Sequence, residues 1–189
     1  MSASTQDRDV PWVPAAVTGI VAFVVEYLVV YLWQANRVRE QLSGLNAIIE
    51  LLGGQAIPAW KAVGWLFYNA HFVSFTHPAL GGGRTATNLI ANGDAPQLLY
   101  VLPPLVLVVA GYLLVRYVSL GDPTEGALCG TVLSLGYAIP AWAGVFAVRI
   151  TTDSSWMGPD LVTGLVLAGV VYPVVFGAIG GAIAAATSD

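Results

Sequence analysis

Four long apolar runs constrain this chain more than any other feature in it. Residues 13–33, 97–118, 127–148 and 161–186 each reach or exceed the roughly 20 residues a helix needs to cross a bilayer. Glu26 and Arg116 are the only charged residues inside them. Of the 189 residues, 57% are hydrophobic and 10% charged, whereas soluble domains carry roughly 25% charged residues. A soluble core of this size cannot hide that much apolar surface. The expectation is an all-α, polytopic helical membrane protein, one integral domain over residues 1–189, multi-pass in the cell membrane with the lipid bilayer as its first partner.

Charge and cysteine content exclude other classes. The net charge is −4 and Lys61 is the only lysine, so no basic stripe exists to hold nucleic acid. Cys129 is the sole cysteine, which rules out intrachain disulfides and cysteine-based metal sites. The first fourteen residues are polar and nearly balanced in charge, unlike a secretory signal, so the first run reads as a retained helix. Scarce lysine, acidic loops and abundant Ala, Val and Gly match a halophilic host.

Along the first run, Ala15, Gly19, Ala22 and Glu26 share one helical face. A carboxylate in hydrocarbon is costly, so Glu26 is expected to face the bundle and not lipid. Residues 34–52 turn amphipathic, with Val38, Leu42, Leu45, Ile49 and Leu52 at helical spacing. This helix lies outside the hydrocarbon or continues the first span beyond it, and Gly53-Gly54 ends it.

Residues 58–75, PAWKAVGWLFYNAHFVSF, are harder to place. Lys61, Gly64, Trp65, Tyr68, His71 and Phe72 fall on one face of a helix, opposite an apolar face of Ala62, Val63, Leu66, Phe67, Ala70 and Val73. Such a helix fits an interfacial or re-entrant position, or a short fifth span. The glycine-rich stretch that follows, up to Pro96, reads as an irregular connection. Gly81 to Gly83 before Arg84 lacks the Walker Lys-Ser/Thr and is no phosphate loop.

The first, third and fourth runs carry small-residue faces suited to close helix packing: Gly19 in the first, Gly126 and Gly130 at the start of the third, Gly177 and Gly181 in the fourth. Each of the last three runs also pairs a tyrosine with a following proline: Tyr100 and Pro103, Tyr137 and Pro140, Tyr172 and Pro173. Proline is common in membrane helices, and this recurrence reads as incidental rather than as duplicated transport halves.

The candidate chemistry is an intramembrane polar cluster of Glu26, Lys61, Tyr68, Asn69 and His71. Glu26 and Lys61 are placed to meet near one membrane face, either as a fixing ion pair or as a proton or ion relay. His71 and His77 lack the spacing and carboxylates of a metal site, and no HExxH is present. GxSxG is missing too. The expectation is no cofactor, no metal and no enzymatic activity. With four spans, Arg37, Arg39, Lys61, Arg84 and Arg149 share one side of the membrane, while Arg8 and Arg116 share the other.

The segments GWLFYNAHFV, LNAIIELLGGQAIPAWKAV and DLVTGLVLAGVVYPVVFGAIGGA resemble a family of uncharacterised multi-pass membrane proteins from haloarchaea. The resemblance covers nearly the whole chain, and implies no activity or catalytic residue. The leading expectation is a non-enzymatic structural or accessory membrane component, associating through its glycine and alanine faces as a homo-oligomer or with other membrane proteins. The alternative is a small oligomeric transporter or channel with Glu26 and Lys61 near its pathway.

Overall fold

The computed structural model describes residues 11–79, 81–152 and 155–188; Arg8 lies outside them. Its first helix, α1, runs unbroken from Trp12 to Leu51. The amphipathic stretch 34–52 is therefore an extension of the first span and not a separate helix. Its 40 residues reach about 60 Å. α2 covers Ala59–Ala70. A short 3-10 turn, Gln97–Val101, leads into α3, Leu102–Val118. α4 is Pro123–Ala147, and α5 is Leu161–Ala186.

Helix starts follow local chemistry. Asp122 accepts hydrogen bonds from the N–H groups of Thr124 and Glu125, both 2.9 Å, ahead of Pro123. Asp160 accepts in the same way from Thr163 N–H at 2.9 Å. Inside α5, Gly164–Val171 widens into a π-helical segment just before Pro173. One loosened carbonyl there, that of Leu165, accepts from the Trp142 indole at 3.0 Å.

α1, α3, α4 and α5 are each long and apolar enough to cross a membrane. Their contacts fix the directions. Ala16 lies against Gly136 and, two turns on, Phe23 against Gly144, so α1 and α4 run parallel. The pairs Gly130–Gly177 and Gly126–Gly181 make α5 antiparallel to α4, and Gly111–Gly177 with Val115–Gly181 makes it parallel to α3. The starts of α1 and α4 and the end of α5 therefore share one end of the bundle, where Ser188 Oγ donates to the Leu120 carbonyl at 3.3 Å.

The other end carries a feature that an all-α expectation missed. Four short antiparallel strands, β1 (Phe75–Pro78), β2 (Arg84–Thr87), β3 (Ile150–Thr152) and β4 (Ser155–Pro159), form one sheet in the order β2-β1-β4-β3. Phe75 faces Thr87 and Pro159, so the connection after α2 and the α4–α5 connection are sewn together. Residues read as irregular loops become strands because each hairpin gives the other's edge a partner, and four strands outlast an isolated pair.

α2 narrows the alternatives left open for residues 58–75. Its 12 residues are too few to span, and it is not laid on a lipid boundary either, because every residue from Ala62 to His71 is buried. Both the polar and the apolar faces pack within the protein. Lys61 and Trp65 sit at the sheet end beside Arg149 and Val148, Tyr68 reaches Ala141, and His71 reaches Tyr137. α2 thus descends along the last turns of α4 into the bundle. The chain then turns and returns to the sheet at Phe75.

Candidate functional site

The turn after α2 is made by a Schellman motif. Val73 N–H donates to the Tyr68 carbonyl at 3.1 Å and Phe72 N–H to the Asn69 carbonyl at 3.0 Å. Phe72 occupies the left-handed position with φ of 59°, where glycine is the usual choice. A non-glycine residue there costs roughly 1–2 kcal/mol. The Phe72 ring stacks on Tyr100 at 4.4 Å and 7°, which helps to hold the strained turn. Asn69 secures the same corner: its amide donates to the Val73 carbonyl at 2.6 Å, and its Oδ1 accepts from Leu89 N–H at 2.9 Å. Asn69 is thus the pin of the turn.

Next to this turn lies a wholly buried polar triad. Glu26 on α1 and His71 at the end of α2 are both 0% exposed, as is Tyr137 on α4. Tyr137 Oη donates to Glu26 Oε2 at 2.7 Å and stands 3.0 Å from His71 Nε2. Glu26 Oε1 is 3.4 Å from that same nitrogen and has no hydrogen-bond partner. His71 Nδ1 is 2.9 Å from the Phe67 carbonyl. A carbonyl can only accept, so Nδ1 carries a hydrogen.

Counting hydrogens shows what this geometry can do. With Nδ1 occupied, two further protons fill the network in two ways. In one, Glu26 is a carboxylate, Tyr137 donates to it, and an imidazolium Nε2–H donates to Tyr137. In the other, Glu26 is a neutral acid donating to Tyr137, which donates to a neutral His71. Both arrangements use the same protons and leave the Tyr137 contacts satisfied. The hydroxyl can therefore pass one proton between Glu26 and His71 with no heavy atom displaced.

Aromatic rings enclose the triad. Phe23 meets Phe67 and Tyr137 edge-on at 5.1 and 5.4 Å, and Tyr172 lies 4.9 Å from His71. Tyr172 follows directly after the π-helical segment. The three tyrosines that precede prolines thus converge on the His71–Phe72 corner: Tyr137 and Tyr172 at His71, Tyr100 at Phe72. Their recurrence has a spatial reason that the spacing alone did not supply, and it was the available signal for Tyr137, which the candidate cluster omitted.

The expected Glu26–Lys61 pair is replaced. Lys61 Nζ donates to the Arg149 carbonyl at 2.8 Å, and Trp65 Nε1 to the Val148 carbonyl at 2.9 Å. Tyr68 Oη donates to the Ala141 carbonyl. Lys61 and Trp65 serve carbonyls just past the end of α4, where a cation is favoured by the helix dipole. Of the predicted cluster, Glu26 and His71 come together; Lys61, Tyr68 and Asn69 anchor α2 around them.

The helix-packing glycines are all spent inside the chain. A Cβ at Gly19 would strike the backbone at Leu133 and Tyr137, and Gly126, Gly130, Gly177 and Gly181 meet one another's carbonyls across α4 and α5. Gly136 is as important: a Cβ there would overlap the Ala16 carbonyl. That close approach sets α1 beside α4 at Tyr137, within reach of Glu26. Among the described residues, no group of three or more His, Cys, Asp or Glu is placed to hold a metal ion.

No curated protein and no solved structure matches the chain. Its sequence does match a family profile over residues 1–188, and the chain belongs to that family, a family of unknown function (DUF7978).

Proposed function

We propose that this is a non-enzymatic, multi-pass membrane protein that moves protons, as a small proton-linked transporter or channel, through the Glu26–Tyr137–His71 relay. The observation that carries the reading is a fully buried carboxyl joined to a buried imidazole by one hydroxyl, at the tip of a re-entrant helix. Ionisable groups at membrane depth are expensive and mark ion or proton pathways, and non-helical backbone at that depth is tolerated where protein covers it. Glu26 lies seven residues before Trp33, about 10 Å along α1, and fourteen after Trp12, about 21 Å. Within a hydrocarbon core of roughly 30 Å, that places the relay in the third nearer the sheet.

The accessory-component reading rested on glycine faces available to partners. Those glycines are consumed between the protein's own helices, so they no longer support it. Arg37, Arg39, Lys61, Arg84 and Arg149 gather at the sheet end and Arg116 at the other, which favours a cytoplasmic sheet. Purified protein in liposomes is expected to dissipate an imposed pH gradient, and Glu26→Gln to abolish this while keeping the fold. Equal flux in wild type and Glu26→Gln would sink the proposal.

A further inference from the structure

The buried face of α1 continues beyond Glu26 towards the sheet end as Val30, Gln34 and Val38, one helical turn apart. Gln34 is 2% exposed, and its Oε1, like Glu26 Oε1, is buried without a hydrogen-bond partner. Native interiors rarely leave such oxygens unpaired. Two on one helical stripe, about 12 Å apart, are out of keeping with a purely structural seam. Val38, one turn above Gln34, lines a cavity of about 370 Å³ together with Gln41, Ala62, Leu66 and Asp94. Only Val30, 0% exposed, stands between Gln34 and Glu26 on this stripe.

We propose that the sheet-end cavity is the proton entrance of the protein, and that hydronium carried by water reaches Glu26 along Gln34. Gln34 is a positioning residue whose carbonyl accepts from the incoming water, and Val30 is the apolar constriction. At the end of the path hydronium gives its proton to the Glu26 carboxylate, leaving water and the neutral acid. The groups facing Glu26 are His71 and Tyr68 from α2, Tyr137 from α4 and Tyr172 from α5, with Tyr27 beside it on α1. The cavity adds Asp94. The inference rests on the relay reading only in taking Glu26 as the acceptor.

The test is thiol accessibility in sealed vesicles, on a Cys129→Ala background, with a small cationic methanethiosulfonate added to one side at a time. Gln34→Cys is expected to react from the same side as the exposed Arg84→Cys. No reaction at Gln34→Cys while Arg84→Cys is fully labelled, or reaction only from the side that labels Ser119→Cys, would overturn the path. Should Gln34→Cys fail to fold, hydrogen–deuterium exchange of the Glu26 carboxyl, assigned in the infrared by its loss in Glu26→Gln, decides the matter. Val30→Ala is expected to speed that exchange roughly tenfold, and an unchanged rate counts against the constriction. Labelling tests the entrance and proton flux tests the relay, so the two fail separately.

Discussion

α4 has two neighbours of opposite character, α5 and the α1–α2 corner. Against α5 it presents Gly126 and Gly130, whose backbones touch Gly181 and Gly177 without a polar side chain between them. Against α1 and α2 it presents Tyr137, enclosed by Phe23, His71 and Glu26. The glycine seam gains dispersion through close approach and leaves no space for a ligand or a proton. The aromatic corner sacrifices that closeness, holds Phe72 in a strained conformation, and keeps one carboxyl and one imidazole out of water. Strain and buried ionisable groups concentrated in one corner of an otherwise regular bundle are what the proposed site would need.

Breaking the seam should have the largest effect on the fold. Gly130→Leu drives a side chain into the Gly177 backbone and is expected to cost about 3 kcal/mol or more, since backbone cannot yield as a side chain can. Thermal unfolding in detergent measures it. Tyr137→Phe breaks the corner: it removes the shared hydroxyl, leaves Glu26 and His71 short of partners, and should cost about 1–3 kcal/mol. Proton flux in liposomes should fall to background in this variant, whereas Gly130→Leu lowers the amount of folded protein without touching the relay.

Smaller changes sharpen the contrast. Phe72→Val should destabilise by about 1–2 kcal/mol, because a β-branched residue tolerates the left-handed turn poorly and the stack on Tyr100 is lost. Phe72→Asn, which accepts that conformation, should cost less, and the reverse order would show that stacking outweighs strain. Lys61→Met removes one charge-assisted bond to the end of α4 and should change stability by about 1 kcal/mol. It should leave flux intact. Loss of flux in Lys61→Met would restore the Glu26–Lys61 relay that the geometry replaces.

Much of the scaffold is legible in residue order. Run length and scarcity of charge give four helices long and apolar enough to cross a membrane, and Asp122-Pro123 marks a helix start. Glu26 could be assigned to the bundle interior from cost alone. The sheet was not legible, because its two short hairpins become one sheet only where Phe75 and Thr76 meet Pro159 and Gly158, some eighty residues away in sequence. Tyr137 was hidden for a related reason: a tyrosine in an apolar run has no polar signature until its hydroxyl has a partner.

The sequence by itself determined that the chain consists of apolar helices, where they begin, and that one carries a carboxyl that hydrocarbon would not accept. Tertiary structure alone decided what that carboxyl meets. α2 and its C-cap carry Lys61 and His71 nearly three turns apart, and either could have faced Glu26. The choice follows from the Gly136–Ala16 approach and the left-handed turn at Phe72, which bring His71 to Tyr137 and leave Lys61 to the end of α4. Helical periodicity fixes which residues share a face; only packing against other helices fixes the depth at which that face comes to rest.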